Sequence, residues 1–580
     1  MRIRPEFGLA VLLLAACSDE VRPPLGTSSD RQEGPPMHGG WLHAASFADV
    51  RSLDAAVAFD EASNIIEQLL YAKLVDYAPD GKTLVPDLAE SWTVSEDGLR
   101  YVFELRPHAL FHDGSEVTAD DVKRSIERAL APDTPNPASS FYERIRGYAA
   151  FTSKKAPHLD GVKVEGERTI AIELSEPDAT LLAVLALPTV APVCKSAGSS
   201  YDRDFATHPC GAGPYRLAAW EQGKSLRLER FDGYYRPELP YLDGIEWSFS
   251  VPTYNQRFKF ESGEIDYVRE LSETDLFRYL ASPSWNGRGE WDEGKAVHSV
   301  FLNTSMPPFD DRALRRAVSF AIDPREVSLV RPHLTQPATH VLPPSVPGYD
   351  PSPRWVHDPA RALAEMQKAG HPFDPSTGKG GLPGTIPYYT VTDSFDLEAA
   401  LVVQQQLARI GVRIQMRPMG YPAYLAVTGR RGAAQMGADG WSADFLDPSD
   451  FFEPLFHSRA IADEDSQNRA FYRNPEVDRL LDEARRERSF ERRVALYRRA
   501  EEIILDDAPW VMLYRSRAFE LWQPYVHGYH VNPALTAHLG FAWIDEGARK
   551  RALAGNGAFP FSRDAYAALL DRVRTRGGRR

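Results

Sequence analysis

Residues 84–106 read LVPDLAESWTVSEDGLRYVFELR, and the last six decide how the chain folds locally. Tyr101, Phe103 and Leu105 alternate with neighbours of another character, the period of a half-buried strand. Phe111-His112-Asp113-Gly114 closes the run in a turn, and Thr118-Ala119-Asp120-Asp121-Val122 opens a helix. There Thr118 and Asp121 resemble a capping box with Asp in place of Glu. Val122, Ile126, Ala129 and Leu130 follow at helical spacing. Outward from this block the same two patterns recur. Residues 169–174 (TIAIEL) and 226–231 (LRLERF) read as strands. Asp358-Pro359 starts a helix with proline at its first position, and Gly370 stops it. Asn474-Pro475 starts another that buries Val477, Leu480, Leu481 and Ala484. A further one places Phe490, Val494, Tyr497, Ala500 and Ile504 on one stripe. Interleaved strands and helices predict α/β or α+β lobes, neither an all-β fold nor a bundle.

The 580 residues amount to about four domains' worth of chain at ~150 residues each. A hydrophobic content of 43% with 26% charged residues excludes a disordered chain, a collagen repeat and a coiled coil. Three cysteines exclude a disulfide-dense scaffold. The net charge of −14 disfavours a duplex-binding body, because phosphate contacts need a basic face, so no nucleic-acid partner is expected.

The two ends depart from this body. Arg2 and Arg4 precede an apolar run, residues 7–16, which is too short to span a bilayer and suits a signal peptide, residues 1–16. Leu14-Ala15-Ala16-Cys17 resembles a bacterial lipobox, with Cys17 as the acceptor for lipid; a plain secretory signal is the alternative. Residues 17–40, rich in Pro, Gly and Ser, read as a flexible tether. At the other end, residues 548–580 form a basic tail, either a patch for anionic lipid or a partner, or simply solvated.

Motifs for chemistry are missing. There is no H-E-x-x-H and no G-x-S-x-G, and Gly378-Lys379 lacks both the first P-loop glycine and the following Ser or Thr. His108 and His112 are four apart, but on a strand that separates them by about 13 Å, too far to share an ion. No metal site, no cofactor and no enzymatic activity are therefore expected. Cys194 and Cys210 remain after lipidation. In an exported chain they suggest one disulfide, worth about 3 kcal/mol in the chain-entropy picture, with two free buried thiols as the alternative.

Several blocks, in order, resemble family 5 extracellular solute-binding proteins, the oligopeptide and dipeptide receptors of ABC importers. They are residues 84–122 as above; Gly213-Pro214-Tyr215; residues 239–243 (LPYLD); Gly263-Glu264-Ile265-Asp266; Leu302-Asn303-Thr304 with Pro308-Phe309-Asp310; residues 315–323 (RRAVSFAID); and Gly440-Trp441-Ser442-Ala443-Asp444 through Asp447-Pro448. The resemblance implies a type II periplasmic-binding-protein fold: two α/β lobes joined by two hinge strands, with an extra subdomain in the larger. The larger lobe is expected over 41–300 and 515–547, with its subdomain about 84–200, and the smaller over 301–514. Crossings are placed near 298–302 and 511–519, where apolar runs lie.

The resemblance further implies an exported, lipid-anchored monomer, periplasmic or at the cell surface. It would close on a short peptide and pass it to the permease subunits. Carried over, Asp444 is the partner of the peptide's ammonium, with a turn cap as its structural alternative. Gly440 and Ser442 offer backbone bonds and Trp441 a wall. Tyr71 stands where relatives carry Tyr-Glu-Gly near the cleft, but Ala72-Lys73 replace the last two residues. Other readings are a receptor for a nickel chelate or oligosaccharide, a sensor lipoprotein that does not transport, and an exported hydrolase.

Overall fold

The computed structural model describes residues 34–554, apart from 270, 281–288, 353, 355, 393–394 and 535–537. Cys17, the signal segment, most of the tether and residues 555–580 lie outside the described residues.

Arg100–Leu105 is a strand, with Tyr101, Phe103 and Leu105 buried on one face. It pairs with Ala89–Val94 through a tight turn. Gly98 there adopts a φ of 70°, and its N–H donates to the Ser95 carbonyl. A side-chain residue at that φ is strained, which is why glycine holds the position. Thr169–Glu173 and Val162–Val164 complete a four-stranded antiparallel sheet. Helix Ala119–Ala129 packs on it. Thr118 caps that helix, and Asp121 returns a bond to the Thr118 N–H, so the aspartate completes the box.

Asp87, from the same stretch, ties this unit to the main body. Its carboxylate accepts from Lys73 N (2.9 Å), Tyr235 Oη (2.5 Å) and Arg236 Nη2 (3.0 Å). That body holds a four-stranded sheet, Trp41–Ala45, Gly244–Ser248, Ser225–Arg230 and Tyr215–Glu221 in spatial order. It also holds a three-stranded sheet of Tyr267–Val268, Ala518–Trp522 and Gly289–Asp292. Cys194 and Cys210 are bonded to each other, with Cα atoms 5.4 Å apart.

A six-stranded sheet builds the second lobe. Its order is Thr335–Pro337, Trp510–Ser516, Ala296–Leu302, Met436–Ser442, Ile386–Val391 and Ile414–Met419. Both faces are covered, which explains the continuous apolar run 510–513. Trp510 and Met512 enter the core beneath helices Ser449–Phe456, Pro475–Arg486 and Phe490–Asp507. Val511 and Leu513 enter the core on the opposite face. Truncating one such residue to alanine costs about 2–5 kcal/mol. The stripe on the last helix begins at Val494, since Phe490 is exposed.

The chain changes sheets twice. Gly289–Asp292 belongs to the three-stranded sheet and Ala296–Leu302 to the six-stranded one, so the first change falls at 293–295. The second is Arg517, between Trp510–Ser516 and Ala518–Trp522. The two touch: a Cβ at Gly294, whose φ is 69°, would meet the Ser516 carbonyl at 2.0 Å. Residues 298–302, where the first crossing was expected, lie inside the six-stranded sheet. Their apolar alternation reports burial between two helical layers, not passage between lobes.

The basic C-terminal segment starts differently from the expected solvated tail. Residues 546–554 are helical, and the Arg549 guanidinium donates to the Trp41 carbonyl (2.7 Å) and Asp266 Oδ2 (3.2 Å), pinning the helix to the larger lobe.

Candidate functional site

Strand Met436–Ser442 is the spine of the site. One edge pairs with Ala296–Leu302 along its whole length. The other pairs with Ile386–Val391 only at Met436 and Gly437. Ala443 N donates to the Lys295 carbonyl and Asn303 N to the Gln435 carbonyl, so the odd-numbered residues of the strand hold the bonded positions. In an antiparallel pair the alternate residues turn their N–H and C=O groups to the opposite edge. Those are Ala438, Gly440 and Ser442. Ala438 O accepts from Tyr424 Oη, and Gly440 N donates to Asp439 Oδ1 (2.9 Å). Among the described residues, the rest of that edge has no strand beside it.

The free edge borders a cavity of about 890 Å³ between the lobes. Gly440, Trp441, Ser442 and Asp444 all line it, so the structure brings together four of the five residues expected at the ligand. The larger lobe contributes Phe59, Phe141 and Glu143, and the Phe141 ring meets Phe445 edge-on at 5.3 Å across the cleft. The volume suits a ligand of several residues' size.

Burial pushes the Asp444 carboxyl up to about 6, and the positive charge of Lys295 partly offsets this. Its own backbone N–H is bound by Asp450 Oδ2 (2.8 Å), which also accepts from Trp441 Nε1 (3.3 Å). Asp450 is thus the turn's cap. It leaves the Asp444 carboxylate unspent and the Trp441 ring fixed. Burial, and then the neighbouring Asp444, push the Asp450 carboxyl well up. Asp447, by contrast, is consumed by Arg493 (2.7 and 2.8 Å) and by the Ser449 backbone N–H (3.0 Å).

Tyr71 is not in this wall. It is 1% exposed, in the core of the larger lobe, and its hydroxyl donates to the Leu53 carbonyl at 2.5 Å. Lys73, in place of a family glycine, is buried too, held by Gln68 (2.5 Å) and Asp76 (3.0 Å). The expected cleft role for Tyr71 is therefore corrected: its polar atom is already satisfied inside the lobe.

Sequence reasoning missed Asp439, Asp450, Arg469, Arg485 and Phe141. Arg469 pairs with Asp439 at 2.7 Å. Arg485 joins the lobes, bonding Asp178 (2.9 Å) of the larger and Glu453 (2.5 Å) of the smaller. Asp439 and Asp450 flank the recognised block and were legible as its neighbours. The others lie far along the chain with no local signal. Among the described residues, one group has metal-donor spacing, Asp113 with Cys194 and Cys210, but its sulfurs are joined to each other.

The profile of the bacterial extracellular solute-binding proteins, family 5 (middle), matches residues 83–463. The chain is similar to the glutathione-binding protein GsiB of Pectobacterium atrosepticum, 29% identical over 496 residues, 83% of this chain and 90% of that protein. Among solved structures it resembles the clavulanic acid biosynthesis oligopeptide binding protein 2. The TM-score is 0.80 at 25% identity, covering 88% of this chain and 96% of that one. It also shares the fold of the periplasmic binding protein DppA from Helicobacter pylori, solved with the peptide STSA. There the TM-score is 0.71 at 24% identity, covering 88% and 99%. With the matched profile running from the subdomain sheet through the free-edged strand and its acidic turn, the chain belongs to the bacterial extracellular solute-binding proteins of family 5.

Proposed function

We propose that this protein captures short peptides in the cleft and delivers them to the permease of an ABC importer. The observation that carries the reading is the free edge of Met436–Ser442 beside the unspent carboxylate of Asp444. An extended peptide adds to such an edge as a strand, bonding the Gly440 carbonyl and the Ser442 backbone, which gives affinity without reading sequence. Its N-terminal ammonium meets Asp444, and Trp441 walls the first side chain. Relatives named for glutathione and an oligopeptide support a peptide-like ligand.

Ligand contacts from both lobes favour the closed arrangement, and closure turns about 293–295 and Arg517. In this reading the smaller lobe spans 296–516, residues 1–16 direct export, and Cys17 carries a lipid that holds a monomer at the membrane through the tether. The protein binds and hands over its solute and catalyses nothing.

The test is calorimetric titration of the chain from residue 18 with tripeptides bearing a free or an acetylated N-terminus. Free peptides are expected to bind, and acetylated ones or the Asp444→Ala variant to lose most of the affinity. Equal binding of both peptide forms would remove Asp444 from the role, and binding of a chelate or sugar with no response to peptides would refute the peptide reading.

A further inference from the structure

We infer that the cleft selects peptides of net positive charge, with a basic side chain in addition to the N-terminal ammonium; this rests on the peptide reading above. Seven carboxylates and three arginines are among the described residues that line the cavity. The imbalance is sharper in the pairing than in the count. Each arginine is already taken. Arg469 is held by Asp439 at 2.7 Å, and Arg485 by Asp178 at 2.9 Å and Glu453 at 2.5 Å. Arg459 is held by Asp482 at 3.0 Å and Glu453 at 3.3 Å. Arg469 keeps one buried N–H, at Nε, without a partner, but an acidic ligand group entering the cavity meets no arginine that lacks a carboxylate partner.

The carboxylates are not spent in the same way. Asp439 is 7% exposed and has its Oδ1 on Arg469 and the Gly440 N–H, while its Oδ2 is buried without a partner. Glu453 gives Oε2 to Arg485 and Arg459 and leaves Oε1 buried without one. A buried acceptor with no donor carries a desolvation cost that an incoming ammonium or guanidinium relieves. Asp444 and Asp450 add a second acidic pair at the turn. The N-terminal ammonium satisfies Asp444 alone, which leaves one oxygen each of Asp439 and Glu453 for the donors of a second, basic group. Burial, the largest cause in both, holds the Asp439 and Glu453 carboxyls above their usual range, and their arginine partners offset it in part.

The experiment titrates the unmodified chain from residue 18 with Ala-Ala-Ala, Ala-Lys-Ala and Ala-Glu-Ala, each with a free N-terminus. The lysine peptide is expected to bind at least tenfold more tightly than the alanine peptide. The glutamate peptide should bind at least tenfold more weakly. Equal affinity for all three, or preference for the glutamate peptide, overturns the charge inference and leaves the peptide reading intact. Failure of all three removes both. Asp439→Asn and Glu453→Gln should each reduce the lysine-to-alanine ratio at least threefold, and an unchanged ratio in both variants also overturns it.

Discussion

Two buried aspartate–arginine pairs sit in different lobes and do different work. In the larger lobe, Arg128 grips Asp54 through both terminal nitrogens (3.0 and 2.7 Å), and its Nε donates to the Ala197 carbonyl (3.0 Å). Asp54 also accepts from Ala56 N at 3.1 Å, and both side chains are about 1% exposed. In the cleft, Arg469 reaches Asp439 through one nitrogen only. Asp439 Oδ2 and Arg469 Nε are both buried and without partners. The first pair is complete and holds structure. The second is incomplete and faces a cavity, where a ligand can finish it. Completeness of hydrogen bonding, not burial or charge, separates the two.

The largest break of that comparison is Asp54→Ala. It leaves Arg128 charged and enclosed, so about 3–5 kcal/mol of stability should be lost in urea denaturation. The lysine-to-alanine peptide ratio should stay as it was. Next is Asp444→Ala, which should cost about 2–5 kcal/mol of peptide binding by calorimetry. Denaturation should show no loss, because the substitution removes a desolvated acid.

Asp439→Asn keeps acceptors for Arg469 and Gly440 while removing the charge. It should cost about 1–3 kcal/mol of stability, less than the break of the complete pair. Comparable losses at Asp54 and Asp439 would erase the distinction.

The smallest effect is on pH. Burial raises the Asp444 carboxyl to about 6. An ammonium needs the ionised form, so peptide affinity should be full above about 6 and fall as pH drops through it. Between pH 7 and 5 the loss is about tenfold, or ~1.4 kcal/mol, with proton release on binding below neutrality. For stability the sign is opposite. A raised carboxyl stabilises the fold below its unfolded value, and that contribution is lost as pH rises through 6. Asp444→Ala should flatten both profiles.

Much of the site was legible because it is local. Gly440, Trp441, Ser442 and Asp444 occupy one strand end and its turn, where five consecutive residues set edge, wall and charge together. The capping box at Thr118 and Asp121 and the helix starts at Asp358 and Asn474 were legible for the same reason: each is a contact within four residues. Tyr71 misled because a position next to a cleft in relatives fixes no side-chain direction. Here the hydroxyl turns inward to Leu53.

The sequence by itself determined the periods, the caps, the order of the blocks and hence the family, since each depends on neighbours along the chain. Only the tertiary structure decided which charges are spent. Asp439 meets an arginine 30 residues away, Arg485 an aspartate 307 residues away, and Asp54 an arginine 74 residues away. Hydrogen bonds saturate at about 3 Å, so whether a carboxylate is a staple or a binding group depends on which distant donors folding brings within that reach.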